Sequence, residues 1–187
     1  ITKGFLDIEV DSIDIKGFAN ADTCPIDLVT LIDANTMTSY TFALINRKIK
    51  EVDIADSMNK NDYKNEIERR ELYERRHKSE KELIDNIDDF VKELHDDFDD
   101  VYGNIDYKFY FYEDESKMLI HLFQLIHKLK LDFILIWNMG FDIPYIIRRL
   151  EVLGFNPQDI MCHKDFPNKQ CYYKHDKYNY NPKEKSE

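Results

Sequence analysis

The chain has 187 residues, 43% hydrophobic and 34% charged, with 12 Phe and 12 Tyr, which suits one domain with a real core and leaves little room for a second. Its formal net charge of −11 excludes a general nucleic-acid coat, since neutralising phosphates takes Lys and Arg, but it allows an enzyme that holds cations on carboxylates. The sequence shows neither an apolar run long enough to span a membrane nor a basic leader followed by an apolar stretch, and Cys24, Cys162 and Cys171 lack CxxC spacing, so an intracellular protein with reduced thiols is expected.

Ile1 stands where an initiator Met would, already inside a strand-like pattern, as in a piece of a longer chain. Residues 3–10 alternate and are rich in strand formers; 26–34 and 39–45 are further strands, with a hairpin turn at Asn35–Met37. From about 56 to 101 the composition shifts to Glu, Lys, Arg and Asp. The spacing of Leu83, Ile87, Phe90, Val91, Leu94 and Phe98 predicts an amphipathic helix. Residues 64–81 are charged enough to predict a solvated helical arm with i,i+4 pairs, and the basic cluster from Arg69 to Lys78 is read as solvated helix face rather than a DNA grip.

Residues 107–112 predict a strand, and Asp114 or Ser116 caps a helix carrying Leu119, Leu122, Phe123, Ile126 and Leu129. The apolar run 132–137 lies between two helices and reads as a buried parallel strand. A helix is expected over about 143–153, with Pro144 in its first turn and Gly154 as its stop. Beyond Phe155 the chain is polar and aromatic without an apolar period. The expected organisation is a domain over 1–155 with a charged helical insert at about 56–101, then a tail over 156–187 that leads into a missing remainder. The order of elements predicts an α/β fold in which a three-strand antiparallel meander joins parallel strands in one mixed sheet flanked by helices.

Asp7 and Glu9 stand two apart on a strand, so both carboxylates project from one face about 7 Å apart while Leu6, Ile8 and Val10 fill the other. A lone D-x-E is ordinarily just a polar strand face. Asn138-Met-Gly-Phe141-Asp142 follows the apolar strand, at the carboxyl end where α/β sheets hold ligands. Read singly, Asp142 is an N-cap just ahead of the helix, Asn138 closes a turn, and Gly140 supplies an unusual backbone angle.

Together these stretches resemble the proofreading 3′→5′ exonuclease domain of family B DNA polymerases, within the ribonuclease-H-like DEDD superfamily, the bacteriophage members above all. Phe5-Leu6-Asp7-Ile8-Glu9 is similar to that family's first exonuclease motif, and Asn138-x-x-Phe141-Asp142-Ile143-Pro144-Tyr145 to its second. Ile134–Trp137 is similar to the apolar strand that ends in Gly-Trp-Asn, with Ile136 where Gly is usual. The resemblance implies a ribonuclease-H-like fold and two-metal hydrolysis, with Mg²⁺ or Mn²⁺ ions about 4 Å apart. It implies that Asp7 bridges both ions, that Glu9 holds the one activating water, and that Asp142 holds the other. Asn138 and Phe141 would position the 3′-terminal nucleotides of single-stranded or mispaired DNA. Like-charge repulsion among the three acids should raise their pKa values in the absence of metal.

The family also uses a third motif, Y-x-x-x-D, on a later helix. Tyr172 and Asp176 fit the formula, but they lie in polar sequence only thirty-four residues after Asp142, so the third motif is expected beyond Glu187. Zinc is not expected: Cys162 and His163 are adjacent, and Cys171 and His175 form no knuckle. The tail lysines and tyrosines read as a connector ahead of a single-strand contact surface. Two rival readings remain, a free-standing DnaQ-like exonuclease that uses Tyr172 and Asp176, and a catalytically silent interaction scaffold.

Overall fold

The computed structural model describes residues 1–11, 18–46 and 60–165, with 60–64 described by backbone alone. Ten elements follow in order: β1 (Lys3–Val10), β2 (Ile26–Asp33), β3 (Thr38–Leu44), α1 (Lys60–Asp85), α2 (Ile87–Tyr102), β4 (Asp106–Tyr112), α3 (Glu115–Leu129), β5 (Phe133–Ile136), α4 (Met139–Val152) and α5 (Pro157–Met161). One five-stranded sheet has the order β4-β3-β2-β1-β5. β1, β2 and β3 form the antiparallel meander, while β4 lies parallel to β3 and β5 parallel to β1. This is the mixed α/β architecture the sequence predicts.

Local chemistry explains the turns. In the β2–β3 hairpin the Asp33 carboxylate accepts from the Asn35 backbone N–H at 2.9 Å and from the Thr36 hydroxyl at 2.9 Å, an Asx-type closure. Gly4 leaves Leu131 room against β1: a Cβ there would stand 2.6 Å from Leu131 Cδ1, which would have to shift, and 3.2 Å from the Ile32 carbonyl. Asp114 caps α3 by accepting from the Ser116 N–H at 2.8 Å. Gly154 takes φ 88° after α4. There its N–H bonds to the Glu151 carbonyl and that of Phe155 to the Leu150 carbonyl, a Schellman closure that satisfies the last carbonyls.

The core lies between one face of the sheet and α3 and α4. Leu6, Ile8, Val29, Leu31 and Phe42 meet Leu119, Leu122, Ile146 and Leu150, all buried. On the opposite face the insert covers the β4 side: Phe90 of α2 stands edge-on to Phe109 at 5.8 Å, and His95 to Tyr107 at 5.2 Å. Beside β1 and β5 none of the described residues covers that face, and Phe5 is 47% exposed there. The apolar run 132–137 is therefore parallel, as read, but it forms an edge strand with Phe133 58% exposed and Leu135 47% exposed. The first part of the insert is more than a solvated arm. Its i,i+4 pairs form, Arg70 with Glu66 and Arg76 with Glu80, yet Arg76 also reaches Asp11 and Asp27 on the sheet side. After Phe155 the chain makes α5, whose Ile160 and Met161 pack on the core.

One buried ion pair joins three elements. Arg149 donates through Nε to Glu115 Oε1 at 2.9 Å and through Nη1 to the Ala21 carbonyl at 2.7 Å, while Glu115 Oε1 also accepts from the Ile26 N–H at 2.8 Å. Removing one partner strands a buried charge, which costs about 3–5 kcal/mol, whereas neutralising both is far cheaper. Arg149→Met should therefore lower the unfolding free energy by about 3 kcal/mol in urea titration, with Glu115→Gln/Arg149→Met recovering much of the loss. A double variant as weak as the single one would show that the pair is not the origin.

Candidate active site

The parallel pairing of β5 with β1 aligns Phe5 with Leu135 and Leu6 with Ile136, so Asp7 comes level with Trp137, the first residue past β5. Trp137 and Asn138 turn the chain into α4, which begins at Met139. The predicted helix start near Ile143 is thus too late. Asp142 sits inside the first turn rather than ahead of it, and Pro144 is the sixth helical residue. Gly140 takes no positive φ and nothing lies within 4 Å of a Cβ built there, so the expected unusual backbone angle is absent.

Three polar residues lie on the buried stripe of α4, spaced three and four apart: Asp142, Tyr145 and Arg149. The Tyr145 hydroxyl donates to the Cys24 carbonyl at 2.9 Å, and Arg149 is held by Glu115 and Ala21. Asp142 is only 2% exposed, and its Oδ2 is a buried side-chain oxygen with no hydrogen-bond partner among the described residues. A buried acceptor left unsatisfied costs folding free energy and calls for an explanation outside the fold.

The electrostatics tie Asp142 to the strand pair. Its pKa is pushed up to about 6, first by burial and then by the negative fields of Asp7 and Glu9. Asp7 and Glu9 project from the open face of β1, where both are exposed. So the structure brings the three acids into one field, although among the described residues no three acidic, His or Cys side chains form a ready-made metal cage. The three acids offer carboxylate oxygens, one of them without a hydrogen-bond partner among the described residues, a donor chemistry that suits a hard divalent cation.

The neighbouring residues are placed as follows. Asn138 is exposed and its side chain makes no cap hydrogen bond. Phe141 is half-buried, its ring 5.1 Å from that of Tyr145. Tyr172, Asp176, Cys171 and His175 lie outside the described residues, while His163 stacks edge-on against His127 at 5.2 Å. Sequence reasoning missed the pairing of Glu115 with Arg149 and the open groove beside Asp7, whose only sequence signal is the Trp at the strand's end.

The folded pKa of Asp142 lies above its ordinary 3.8, at about 6, so folding favours the protonated form. The contribution is nil below about pH 4, grows as pH rises from 4 towards 6 and is fully destabilising above 6. With divalent cations chelated, Asp142→Asn should melt well above the parent at pH 7, with the gap closing towards pH 4. A gap independent of pH would exclude this origin.

No curated protein is similar enough to the chain to count as a relative. The family model described as DNA polymerase family B, exonuclease domain, matches residues 6–171. That stretch takes in Asp7, Glu9 and the whole of α4 with Asp142, and covers most of the 187 residues. The chain belongs to the exonuclease domain family of the family B DNA polymerases.

Proposed function

We propose that this domain hydrolyses the 3′-terminal phosphodiester of single-stranded or mispaired DNA, with Mg²⁺ or Mn²⁺ held by Asp7, Glu9 and Asp142, as the proofreading part of a polymerase chain. The observation that carries the reading is the buried, unpartnered Oδ2 of Asp142 in the field of Asp7 and Glu9. The family match supplies the DNA substrate and the polymerase context.

Divalent cations held by Asp7, Glu9 and Asp142 would supply a hydroxide nucleophile and offset the charge developing on the phosphate. The protein's own part is placement. Asp7 and Glu9 offer oxygens from a strand that cannot shift without breaking two ladders, β2 on one side and β5 on the other. Asp142 offers one from the first turn of α4, where tight packing holds it without a competing donor. Asn138, exposed and with its side chain uncommitted to capping, presents an amide to the terminal nucleotide. Phe141 packs from the helix side. The reading calls for one further carboxylate from a helical Y-x-x-x-D segment. It does not draw on Tyr172 and Asp176, which follow the last matched residue, Cys171.

Metal binding can be read without turnover. Millimolar Mn²⁺ should raise the melting temperature of the chain, and Asp7→Ala should abolish the rise. A melting curve unmoved by Mn²⁺ would overturn the reading.

A further inference from the structure

We infer that Trp137 is a stacking platform for an unpaired base of the DNA strand whose end lies at Asp7. This deepens the exonuclease reading and rests on it. The indole is 99% exposed, the most exposed large aromatic beside the site. It therefore adds almost nothing to the core, and its burial cannot be why the fold carries it there. Trp137 instead lines an open groove of about 490 Å³ together with Phe5, Asp7, Thr30, Ile32 and Leu135. Phe5 and Leu135 are each 47% exposed, so the groove has an apolar floor with one carboxylate at its side. A contiguous exposed apolar patch on a protein of net charge −11 marks a binding surface.

The chemistry of the groove selects its occupant. A flat apolar floor ended by an indole suits the π-face of a base, and stacking of this kind tolerates any sequence. The carboxylate beside it suits a phosphate only through a bridging cation, which places the sugar–phosphate at Asp7 and the base against Trp137. A base paired and stacked within a duplex hides both faces, so the platform favours single strands over duplex ends.

Trp137 is the sole tryptophan of the chain, so red-edge excitation, where tyrosine does not absorb, reads it alone. With Ca²⁺ replacing Mg²⁺ to slow cleavage, a short oligothymidylate should quench its emission saturably, and a blunt duplex should quench it much less. Anisotropy of a labelled oligothymidylate should show Trp137→Ala binding about tenfold more weakly. Trp137→Phe, which keeps a stacking ring, should retain most of the affinity. Unchanged emission while anisotropy reports binding would overturn the inference. So would equal affinity of the Ala variant, or emission that follows protein concentration rather than DNA, as pairing of two copies through the groove would give. Failure of the exonuclease reading shows separately, as a melting curve that Mn²⁺ does not move. A rise with Mn²⁺ but no quench would leave that reading intact and remove this one.

Discussion

Two parallel strands cannot be joined by a tight turn; they need a crossover. β1 and β5 are parallel neighbours separated by more than a hundred residues of sequence. Everything at the site depends on that pairing, because it alone brings the turn at Trp137 and Asn138 level with Asp7. Pairing is not sufficient, since α4 must also return against the sheet at the right height. Each residue of slip along a helix moves a side chain about 1.5 Å along its axis and turns it about a quarter-turn away. The Glu115–Arg149 pair fixes that height. It locks α4 to the start of α3 and to the first residue of β2 two turns beyond Asp142. A buried ion pair is poor evidence of stability but good evidence of position, because its geometry tolerates little displacement before both charges are stranded. Asp142 is thus held in its unsatisfied state by bonds made elsewhere on the same helix.

Much of this frame was legible in the sequence, for local reasons. Alternation of Leu6 and Ile8 with Asp7 and Glu9 specified β1 and its buried face, and Asp114 and Gly154 marked a helix start and a helix end through cap chemistry that needs no tertiary information. The start of α4 was not legible. Asn138-Met-Gly-Phe-Asp142 carries a glycine and no clean apolar period, and Pro144 favours a first turn by propensity. Packing of Phe141 and burial of Asp142 override that propensity. The edge position of β5 was misread for a related reason. A continuous apolar run ordinarily means burial on both faces, and here one face is left open to a groove. The connection from Asp7 and Glu9 to Asp142, over 130 residues away, could not come from periodicity or spacing. Only the resemblance of the two motifs pointed to it.

The net charge has a local counterpart at the site. A carboxylate raised in pKa by burial and by neighbouring acids, as Asp142 is, gains more from a cation than an isolated surface acid does, because the cation reverses the sign of the same field that destabilises it. On the proposed reading, acidity of the whole chain keeps nucleic acid from binding broadly and confines it to the place where a cation would bridge carboxylate and phosphate. The exposed apolar groove next to Asp7 would add a second, uncharged source of affinity at that same place. Stacking itself needs no counterion.

The charged insert belongs to this frame more closely than its composition suggests. Arg76 donates to Asp11 at 2.9 Å, to Asp27 at 2.6 Å and to Glu80 at 2.6 Å, and also to the Leu44 carbonyl at 3.2 Å. Asp11 is 3% exposed and lies two residues past Glu9 on the same chain segment. Burial already holds Asp27 above the ordinary carboxylate range with Arg76 beside it. Withdrawing the guanidinium would therefore leave two acids on the sheet side without it, at a cost of several kcal/mol. An arm bound only by its own i,i+4 pairs could swing freely, since each such pair is worth a few tenths of a kcal/mol. Arg76 makes the difference: it fastens α1 across the end of β1, so Glu9 faces an open groove shared with Leu72, Arg76 and Leu83. The long-range reach of one arginine turns a solvated helix into a wall of the groove at Glu9.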